Sequence, residues 1–298
     1  MRVTVANIFN QIKTDLGNIT EEMSLKTSQI SSGKIYRRPS DAPVALTHAL
    51  SIRSSISVTN QVQRNIVYGQ GWTRSTEEVL NQVQERLTRA KTLAIQGAND
   101  TQNADTRRAI AEEVKGILEE LVSLGNTRFG GRYLFGGTKT KGYDRGQAPF
   151  VLGQDGKVQY LGNRDNFEIT VADGLTKVIN IDGDTAFMQG GVFDSVSKLY
   201  DSLVSNSQED IDASIGAIDE ALKNISVQIS KAGSISGSLE RLESMADSLE
   251  LTDKERLSDI EDIDMVEAAT DLTRLQTSYQ ASLAAASKIM QLSLADFI

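Results

Sequence analysis

The side chains that most often carry out catalysis are scarce in this sequence. It contains no cysteine, and His48 is its single histidine. Thiolate chemistry, zinc fingers and His-Glu-x-x-His protease helices each need cysteine or a second histidine, so none of them can be built. His48 lies in a helical pattern without a catalytic partner at useful spacing, and we interpret it as a surface or interfacial residue. We therefore predict no catalytic residue.

Two short acidic segments have the residue types that bind divalent cations. Asp182-Gly183-Asp184 lacks the regular series of acidic ligands, ending in Glu, that a calcium loop needs. A turn at the end of a strand is the better interpretation. The second segment contains Asp259, Glu261, Asp262 and Asp264, and acids just ahead of a helix are favourable for its dipole alone. We expect no metal and no cofactor.

The glycine-rich segment 129–137 has enough glycine for a phosphate-binding loop. It lacks the Gly-Lys-Ser/Thr ending and the strand before and helix after that such a loop requires. A single patch of this kind in an acidic protein is also poor support for RNA binding. We interpret the segment as a hinge that leads into a β-rich insert.

The charge balance restricts the possible partners. The chain has 31 basic and 40 acidic residues, a net charge of −9, which argues against nucleic acid or an anionic membrane as the main partner. No stretch approaches the roughly 18 apolar residues that a membrane span needs. The first thirty residues lack the apolar core of a signal peptide, because Lys13, Asp15, Glu21 and Glu22 interrupt it. We expect neither a nucleic acid partner nor a membrane partner.

Glycine is distributed unevenly, and its distribution predicts the domain organisation. Fourteen of the 23 glycines lie between residues 125 and 191. Three stretches there have strand-like patterns, residues 158–161, 167–171 and 177–181, with turn formers between them. The flanking residues favour helices, which we expect to end near Gly33, to start again at residues 41–43, and to cover about 104–126, 194–204 and 208–251.

The two chain ends have apolar stripes that favour pairing. In the first helix, apolar residues recur at steps of three and four: Val5, Ile8, Ile12, Leu16, Ile19, Met23 and Ile30. In the last helix they occupy heptad positions: Met265, Ala269, Leu272, Tyr279, Leu283, Ala286, Met290 and Phe297. Residues 1–40 carry a net charge of +3 and residues 249–298 a net charge of −6. We expect the two ends to pack together.

These patterns predict a mainly α fold, an elongated antiparallel helical bundle or coiled coil with a small inserted β-rich domain. We expect three domains. The terminal coiled coil comprises residues 1–42 and 256–298, and the helical rod comprises residues 43–135 and 192–255. The β-rich outer domain comprises residues 136–191.

Three segments together resemble the flagellin superfamily. Ser31-Ser32-Gly33-Lys34, followed by Pro39-Ser40-Asp41-Ala42-Pro43, is similar to its Ser-x-Gly-x-Arg/Lys and Pro-Ser-Asp-x-Pro signature. Residues 94–100 look like the end of one of its helices, and residues 262–268 with 275–282 look like its C-terminal helix. Residues 128–140 and 292–298 resemble the hook–filament junction branch more than flagellin itself. The resemblance covers both flanks of the insert.

The resemblance implies an extracellular structural protein of the bacterial flagellum, exported unfolded through the flagellar type III channel without a cleaved signal peptide. It implies self-association in a ring, contact with hook-associated protein 1 and flagellin, and an export chaperone. The expected helix-pairing and subunit interface comprises Ile8, Ile12, Leu16, Ile19, Met23, Leu272, Tyr279, Leu283, Ala286 and Met290. The expected signature linker contains Gly33, Pro39, Ser40, Asp41 and Pro43.

Three alternatives to a junction protein remain open at this point. The first is a short flagellin that forms the filament itself. The second is an enzyme carried on the filament with its active site in the insert, although residues 138–190 contain no histidine and no cysteine. The third is an unrelated coiled-coil adaptor.

Overall fold

Long helices dominate the fold. The computed structural model describes residues 5–36, 38, 40–99, 102–144, 147–153 and 156–295. Within those ranges the α-helices are α1 (Val5–Ser32), α2 (Pro43–Gly97), α3 (Ala104–Gly125), α4 (Val192–Ser205), α5 (Gln208–Glu261) and α6 (Met265–Ala295). The predicted mainly α fold is confirmed.

The helix ends follow local signals in the sequence. Gly33 has φ +69° after α1, a conformation that glycine adopts without steric cost, and its N–H donates to the carbonyl of Gln29. Pro43 opens α2, where its missing N–H is not needed. Asn103 and Thr106 form a reciprocal capping box at the start of α3. Glycine, proline and capping side chains therefore explain why these boundaries were predictable.

The strands form three separate antiparallel pairs, all of them short. The pairs are β1 (Arg128–Phe129) with β2 (Arg132–Tyr133), β3 (Phe150–Leu152) with β4 (Val158–Tyr160), and β5 (Glu168–Ala172) with β6 (Leu175–Val178). The predicted antiparallel unit is confirmed, but strand β3 lies outside the three predicted stretches, and there are two further differences. The segment expected to be a hinge contains the β1–β2 hairpin, whose turn is Gly130-Gly131 with φ of +57° and +77°.

The second difference is that the predicted strand 177–181 ends early. Pairing with β5 stops at Val178, although Ile179 and Ile181 remain buried. The side chain of Asn180 takes over there, because its Oδ1 accepts from the N–H of Phe167 at 2.9 Å and its Nδ2 donates to the carbonyl of Asp165 at 3.1 Å. The N–H of Ile179 still donates to the carbonyl of Phe167 at 3.0 Å, so the side-chain amide replaces only the return bond of this pair.

The chain divides into two compact units. The first, here called the terminal unit, comprises residues 1–58 and 249–298, and the second, the central unit, comprises residues 59–248. The three strand pairs belong to the central unit, where they share one hydrophobic core with residues of α2, α3, α4 and α5. The finer division into a rod and a separate outer domain stays a prediction.

Two glycines inside α2 allow the core to close around Trp72. A Cβ atom at Gly71 would lie 2.8 Å from the ring of Phe129, and one at Gly69 would lie 2.6 Å from Cδ1 of Ile169. Trp72 is fully buried, with its ring centroid 5.2 Å from that of Phe167. The helix continues through both glycines, which provide the space for these close contacts.

Candidate assembly interface

Helices α1 and α6 pack against each other in the terminal unit. They run antiparallel, since Lys26 Nζ on α1 lies 2.9 Å from Asp271 Oδ2 on α6, while Lys34, just after α1, reaches Asp262, just before α6. On α1 the predicted stripe is half-buried, while most residues between its members are exposed: Ile8, Ile12, Leu16, Ile19 and Met23. The apolar positions predicted from the sequence of α1 are therefore the positions that are partly buried in the structure.

The covered face of α6 differs in part from the heptad positions read from the sequence. Six residues at alternating steps of four and three are buried or half-buried: Ala268, Leu272, Leu275, Tyr279, Ser282 and Ala286. Leu272, Tyr279 and Ala286 belong to both sets. Leu283 lies beside this seam with 44% of its side chain exposed, and the side chain of Met290 lies outside the described residues. The role of each residue in subunit contact stays a prediction.

The seam between α1 and α6 is incompletely covered. Ala49 and Ala268 are the buried hydrophobic residues found in the described part of the terminal unit. Large apolar side chains remain exposed on the same unit, including Phe9, Leu25, Met265, Val266 and Leu283. Covering the rest of a half-buried large side chain contributes on the order of 1 kcal/mol. A neighbouring molecule that packs on this surface would therefore stabilise the terminal unit.

A cluster of charged residues fastens the end of α1 to the junction of α5 and α6. We call it the clamp, and it consists of Lys34, Arg53, Glu261 and Asp262. Lys34 Nζ lies 2.6 Å from Asp262 Oδ1 and 3.2 Å from Glu261 Oε2, which is 2.7 Å from Arg53 Nη2. Backbone bonds flank these ion pairs: the N–H of Ile35 donates to the carbonyl of Glu261 at 2.7 Å.

The clamp holds one carboxylate almost completely out of water. Glu261 is only 4% exposed, and its Oε1 is buried without a hydrogen-bond partner within the described residues. Asp262, by contrast, is accessible, and the hydrogen bond from Lys34 lowers the pKa of its carboxyl group. The same bond is the largest cause that raises the pKa of Lys34. Both shifts favour the charged forms that make the ion pair.

The signature linker begins next to the clamp and continues with local hydrogen bonds. Gly33 accepts a hydrogen bond from the N–H of Ile263 at 3.1 Å, which joins the linker to the residue before α6. Asp41 Oδ2 accepts from the N–H of Arg38 at 2.9 Å, and the hydroxyl of Ser40 donates to Asp41 Oδ1. Pro43 begins α2, and Pro39 lies outside the described residues.

Three acids of the run before α6, Glu261, Asp262 and Asp264, have structural partners. Asp264 Oδ1 accepts from the N–H groups of Val266 and Glu267, at 2.8 and 3.1 Å, which caps α6. Glu261 and Asp262 bind the clamp cations. Sequence reasoning missed this arrangement because Lys34 and Asp262 are 228 positions apart. No sequence pattern indicated that Arg53 would take part in the clamp.

The other segments considered for chemistry also have structural roles. Asp182 Oδ1 accepts from the N–H of Thr185 at the start of a short π-helical turn, and Asp184 pairs with Arg164 at 2.7 Å. His48 is exposed on α2. In the described ranges, no group of three or more His, Asp or Glu side chains could hold a metal ion. Nor does any described helix have both the length and the apolar character to span a bilayer.

Comparisons with known proteins agree with this architecture. The bacterial flagellin N-terminal helical region matches residues 5–140, and the bacterial flagellin C-terminal helical region matches residues 215–298. The flagellar hook-associated protein 3 of Escherichia coli K12 is 25% identical over 320 residues, covering 99% of this chain and 98% of that protein. A flagellin of Bacillus subtilis 168 is 25% identical over 291 residues, covering 95% and 92%.

A solved structure has the same fold. The structure of a flagellar hook-associated protein from Vibrio parahaemolyticus aligns with a TM-score of 0.67 at 25% identity. The alignment covers 74% of this chain and 100% of that one. The fold of about three quarters of this chain is thus shared with that protein.

Proposed function

The chain belongs to the flagellin superfamily, and we propose that it is the structural subunit that joins the hook of a bacterial flagellum to the filament. The observation that carries this proposal is the match to hook-associated protein 3 of Escherichia coli, which extends along practically the whole of both chains. The segments 128–140 and 292–298 support the same branch. In this proposal the chain is structural rather than an enzyme.

The geometry supports assembly through the terminal unit. The apolar stripe of α1 is only half covered by α6, and a neighbouring copy can cover the remainder. Ile8, Ile12 and Leu16 on α1, with Leu272 and Tyr279 on α6, then serve both helix pairing and subunit contact. A two-helix pair buries too little to be stable alone, which is why it gains from assembly.

The proposal includes four partners and a location. Copies of the chain form a ring, hook-associated protein 1 lies on the hook side, and flagellin lies on the filament side. A flagellar export chaperone accompanies the chain before it passes, unfolded and without a cleaved signal peptide, to the outside of the cell. The absence of cysteine suits this route, since no disulfide must form afterwards.

Deletion of the gene tests the proposal. If the chain is the junction, flagellin is still made and exported, and it accumulates in the medium as monomer because it has nothing to polymerise on. Hooks remain on the cells without filaments, and a plasmid copy restores attachment. Immunoblots of the medium and electron micrographs of the cells measure both results. Attached filaments of normal length on the deletion strain would refute the proposal.

The same deletion distinguishes the junction protein from a second candidate, a short flagellin. The match to a flagellin over 95% of the chain favours a short flagellin that forms the filament itself. In that case, deletion removes the filament protein, and no flagellin accumulates in the medium.

A further inference from the structure

The central unit has an exposed groove between the β5–β6 hairpin and α5. Its volume is about 410 Å³, and six residues characterise it: Val171, Leu175, Lys177, Arg241, Leu242 and Met245. Leu175 is 51% exposed and Met245 61% exposed, although both are large apolar side chains. The groove therefore exposes apolar surface that the fold of this chain leaves uncovered.

The placement of these residues follows from the periods of their elements. Leu175 and Lys177 are two positions apart on β6, so they share a face of the hairpin. Lys177 is paired across the strands with Ile169, which is buried toward the core. Arg241 and Met245 are four positions apart, so they share a face of α5. The hairpin and the helix thus line one groove with apolar and basic groups.

The two cations of the groove lack partners. Neither the Lys177 ammonium nor the Arg241 guanidinium makes a hydrogen bond or an ion pair with any residue that the structure describes. The nearby carboxylate of Glu243 is already bound to Nε2 of Gln70, at 2.8 Å. An acidic segment would complement the two cations of the groove in charge.

Such an acidic segment is present on α2 of the same chain. Glu78 and Glu85 are seven positions apart, so they lie on one face of the helix, and both are exposed. Neither has a hydrogen-bond or ion-pair partner among the described residues. The same surface contains Arg74, Glu77 and the uncharged Asn81 and Gln82, so three acids outnumber one base on it. The negative charge of this face complements the positive charge of the groove.

We propose that the groove of one copy binds the Glu78–Glu85 face of α2 of a neighbouring copy. The inference rests on the proposed self-association of the chain and names the surfaces that meet. Contacts within one copy cannot satisfy both sets of charges, because α2 and α5 run antiparallel and Gln70 lies beside Glu243. At about 1.5 Å of rise per residue, the acidic face is about 10–20 Å from the level of Arg241 along the bundle.

This offset has a structural consequence. Two different patches at different levels make a heterologous contact, in which each copy uses its groove toward one neighbour and its acidic face toward the other. Neighbouring copies are then staggered by about 10–20 Å along the bundle axis. Such a contact excludes a symmetric dimer, and it agrees with the proposed ring if the ring is one turn of a helix.

Designed disulfides test the contact in intact flagella. Because the chain has no cysteine, Arg241→Cys combined with Glu85→Cys introduces the only two thiols. Disulfides need Cα atoms within about 7 Å, and the offset along the bundle prevents a bond inside one copy. We expect oxidised flagella to give bands at multiples of 32.4 kDa on immunoblots against the chain. Each single-cysteine variant should give monomer only.

Charge reversal gives an independent measurement. We expect Lys177→Glu with Arg241→Glu to lower the number of attached filaments at least tenfold while export continues. Adding Glu78→Lys and Glu85→Lys should restore attachment to within twofold. As a matched control, Lys223→Glu with Lys231→Glu places the same charge elsewhere on α5 and should leave attachment unchanged. Circular dichroism should show equal melting for all variants, since every changed side chain is at least partly accessible.

The outcomes distinguish this inference from the proposed function. If the deletion strain keeps its filaments, the proposed function fails. If deletion detaches the filaments but the cysteine pair gives no ladder and the reversed cations attach filaments normally, only the groove inference fails. A cross-link to a different flagellar protein, or a dimer from the Arg241→Cys variant alone, would likewise overturn it.

Discussion

The terminal and central units are built from the same kind of helix but bury very different side chains. In the central unit, the fully buried residues include Trp72, Phe135, Phe150 and Phe187, which belong to one continuous core. In the described part of the terminal unit, the buried hydrophobic residues are Ala49 and Ala268. The central unit is therefore stabilised by its own packing. The terminal unit depends on a half-covered seam and on the clamp.

The two units also differ in how much apolar surface they leave exposed. Of the sixteen large hydrophobic residues exposed among the described residues, ten lie in the terminal unit, although it is the smaller of the two. Apolar surface that is left uncovered in a monomer is available to stabilise a contact with another molecule. The central unit has already used most of its apolar surface for folding.

The largest expected effect on stability comes from truncating a core residue of the central unit. Leu87 is fully buried, so Leu87→Ala should lower the free energy of unfolding by about 2–5 kcal/mol through lost burial and a cavity. Ile19→Ala, at a half-buried position of α1, should cost roughly 1 kcal/mol or less. Thermal and denaturant unfolding of the purified protein measure both. Equal losses would show that the two units are equally packed.

A smaller effect is expected from filling space at a glycine in α3. A Cβ atom at Gly125 would lie 2.7 Å from the ring of Phe150, which is itself packed against Tyr160, Phe187 and Phe193. Gly125→Ala should therefore cost about 1–3 kcal/mol. Its control is in the same helix: Gly116 has nothing within 4 Å of a built Cβ.

The control should change stability in the opposite direction. Because alanine is a better helix former than glycine, Gly116→Ala should add about 1 kcal/mol. Denaturant midpoints of the two variants measure the sign directly. Stabilisation by both substitutions would mean that the Phe150 ring yields, and that the central core is looser than its contacts indicate.

The clamp should contribute less than either core change. Lys34→Gln removes an exposed ion pair with Asp262 and a second pair with the buried Glu261, which keeps Arg53 as a partner, so the loss should be roughly 1 kcal/mol. Hydrogen exchange of the Ile35 amide, which donates to Glu261, should become faster. Lys13→Gln, at an exposed position of α1, should leave that exchange rate unchanged.

The clamp also predicts a pH dependence with a definite sign. Lys34 lowers the pKa of Asp262 in the folded protein, so the stabilisation is fully present above the ordinary carboxyl pKa. It is lost as the pH falls through the lowered value. NMR titration of the Asp262 carboxyl carbon should show a midpoint below the usual range, and Lys34→Gln should move it upward. A midpoint that does not move would show that Lys34 does not lower the pKa of Asp262.

Leu283→Asp should have the smallest effect on stability and the largest effect on assembly. Leu283 is 44% exposed beside the α1–α6 seam, so Leu283→Asp should change the melting temperature little and leave export intact. If this side chain contacts another subunit, the variant should nevertheless fail to attach filaments. Thr277→Asp places the same charge on an exposed position of α6 and should attach them normally. Normal filaments on cells with Leu283→Asp would show that Leu283 is not part of the subunit interface.

Much of the fold was predictable because its signals are local. Gly33 after α1 and Pro43 at the start of α2 act through their own backbone conformations, and the stripe of α1 follows from a helical period. Strand β3 was missed because Phe150–Leu152 is too short to show alternation. The early end of β6 was missed because the hydrogen bonds of Asn180 depend on residues more than ten positions away.

The candidate site was predictable only in part, for a related reason. The α6 seam was identified at Leu272, Tyr279 and Ala286, whose positions fit both the expected and the observed register. Ala268 and Ser282, which occupy the remaining covered positions together with Leu275, were not selected, because small or polar residues give a weak hydrophobic signal. Which side of a helix is covered depends on its neighbour.

The sequence by itself determined the helical character of the ends, the glycine-rich character of the middle and the exclusion of cysteine or multi-histidine chemistry. These properties depend on composition and on spacing along the chain. Only the tertiary structure decided that Lys34 meets Glu261 and Asp262, that three short hairpins share the helical core, and that Lys177 and Arg241 line an apolar groove. Those arrangements depend on residues far apart in the sequence, and their positions are set by packing, which no local period encodes.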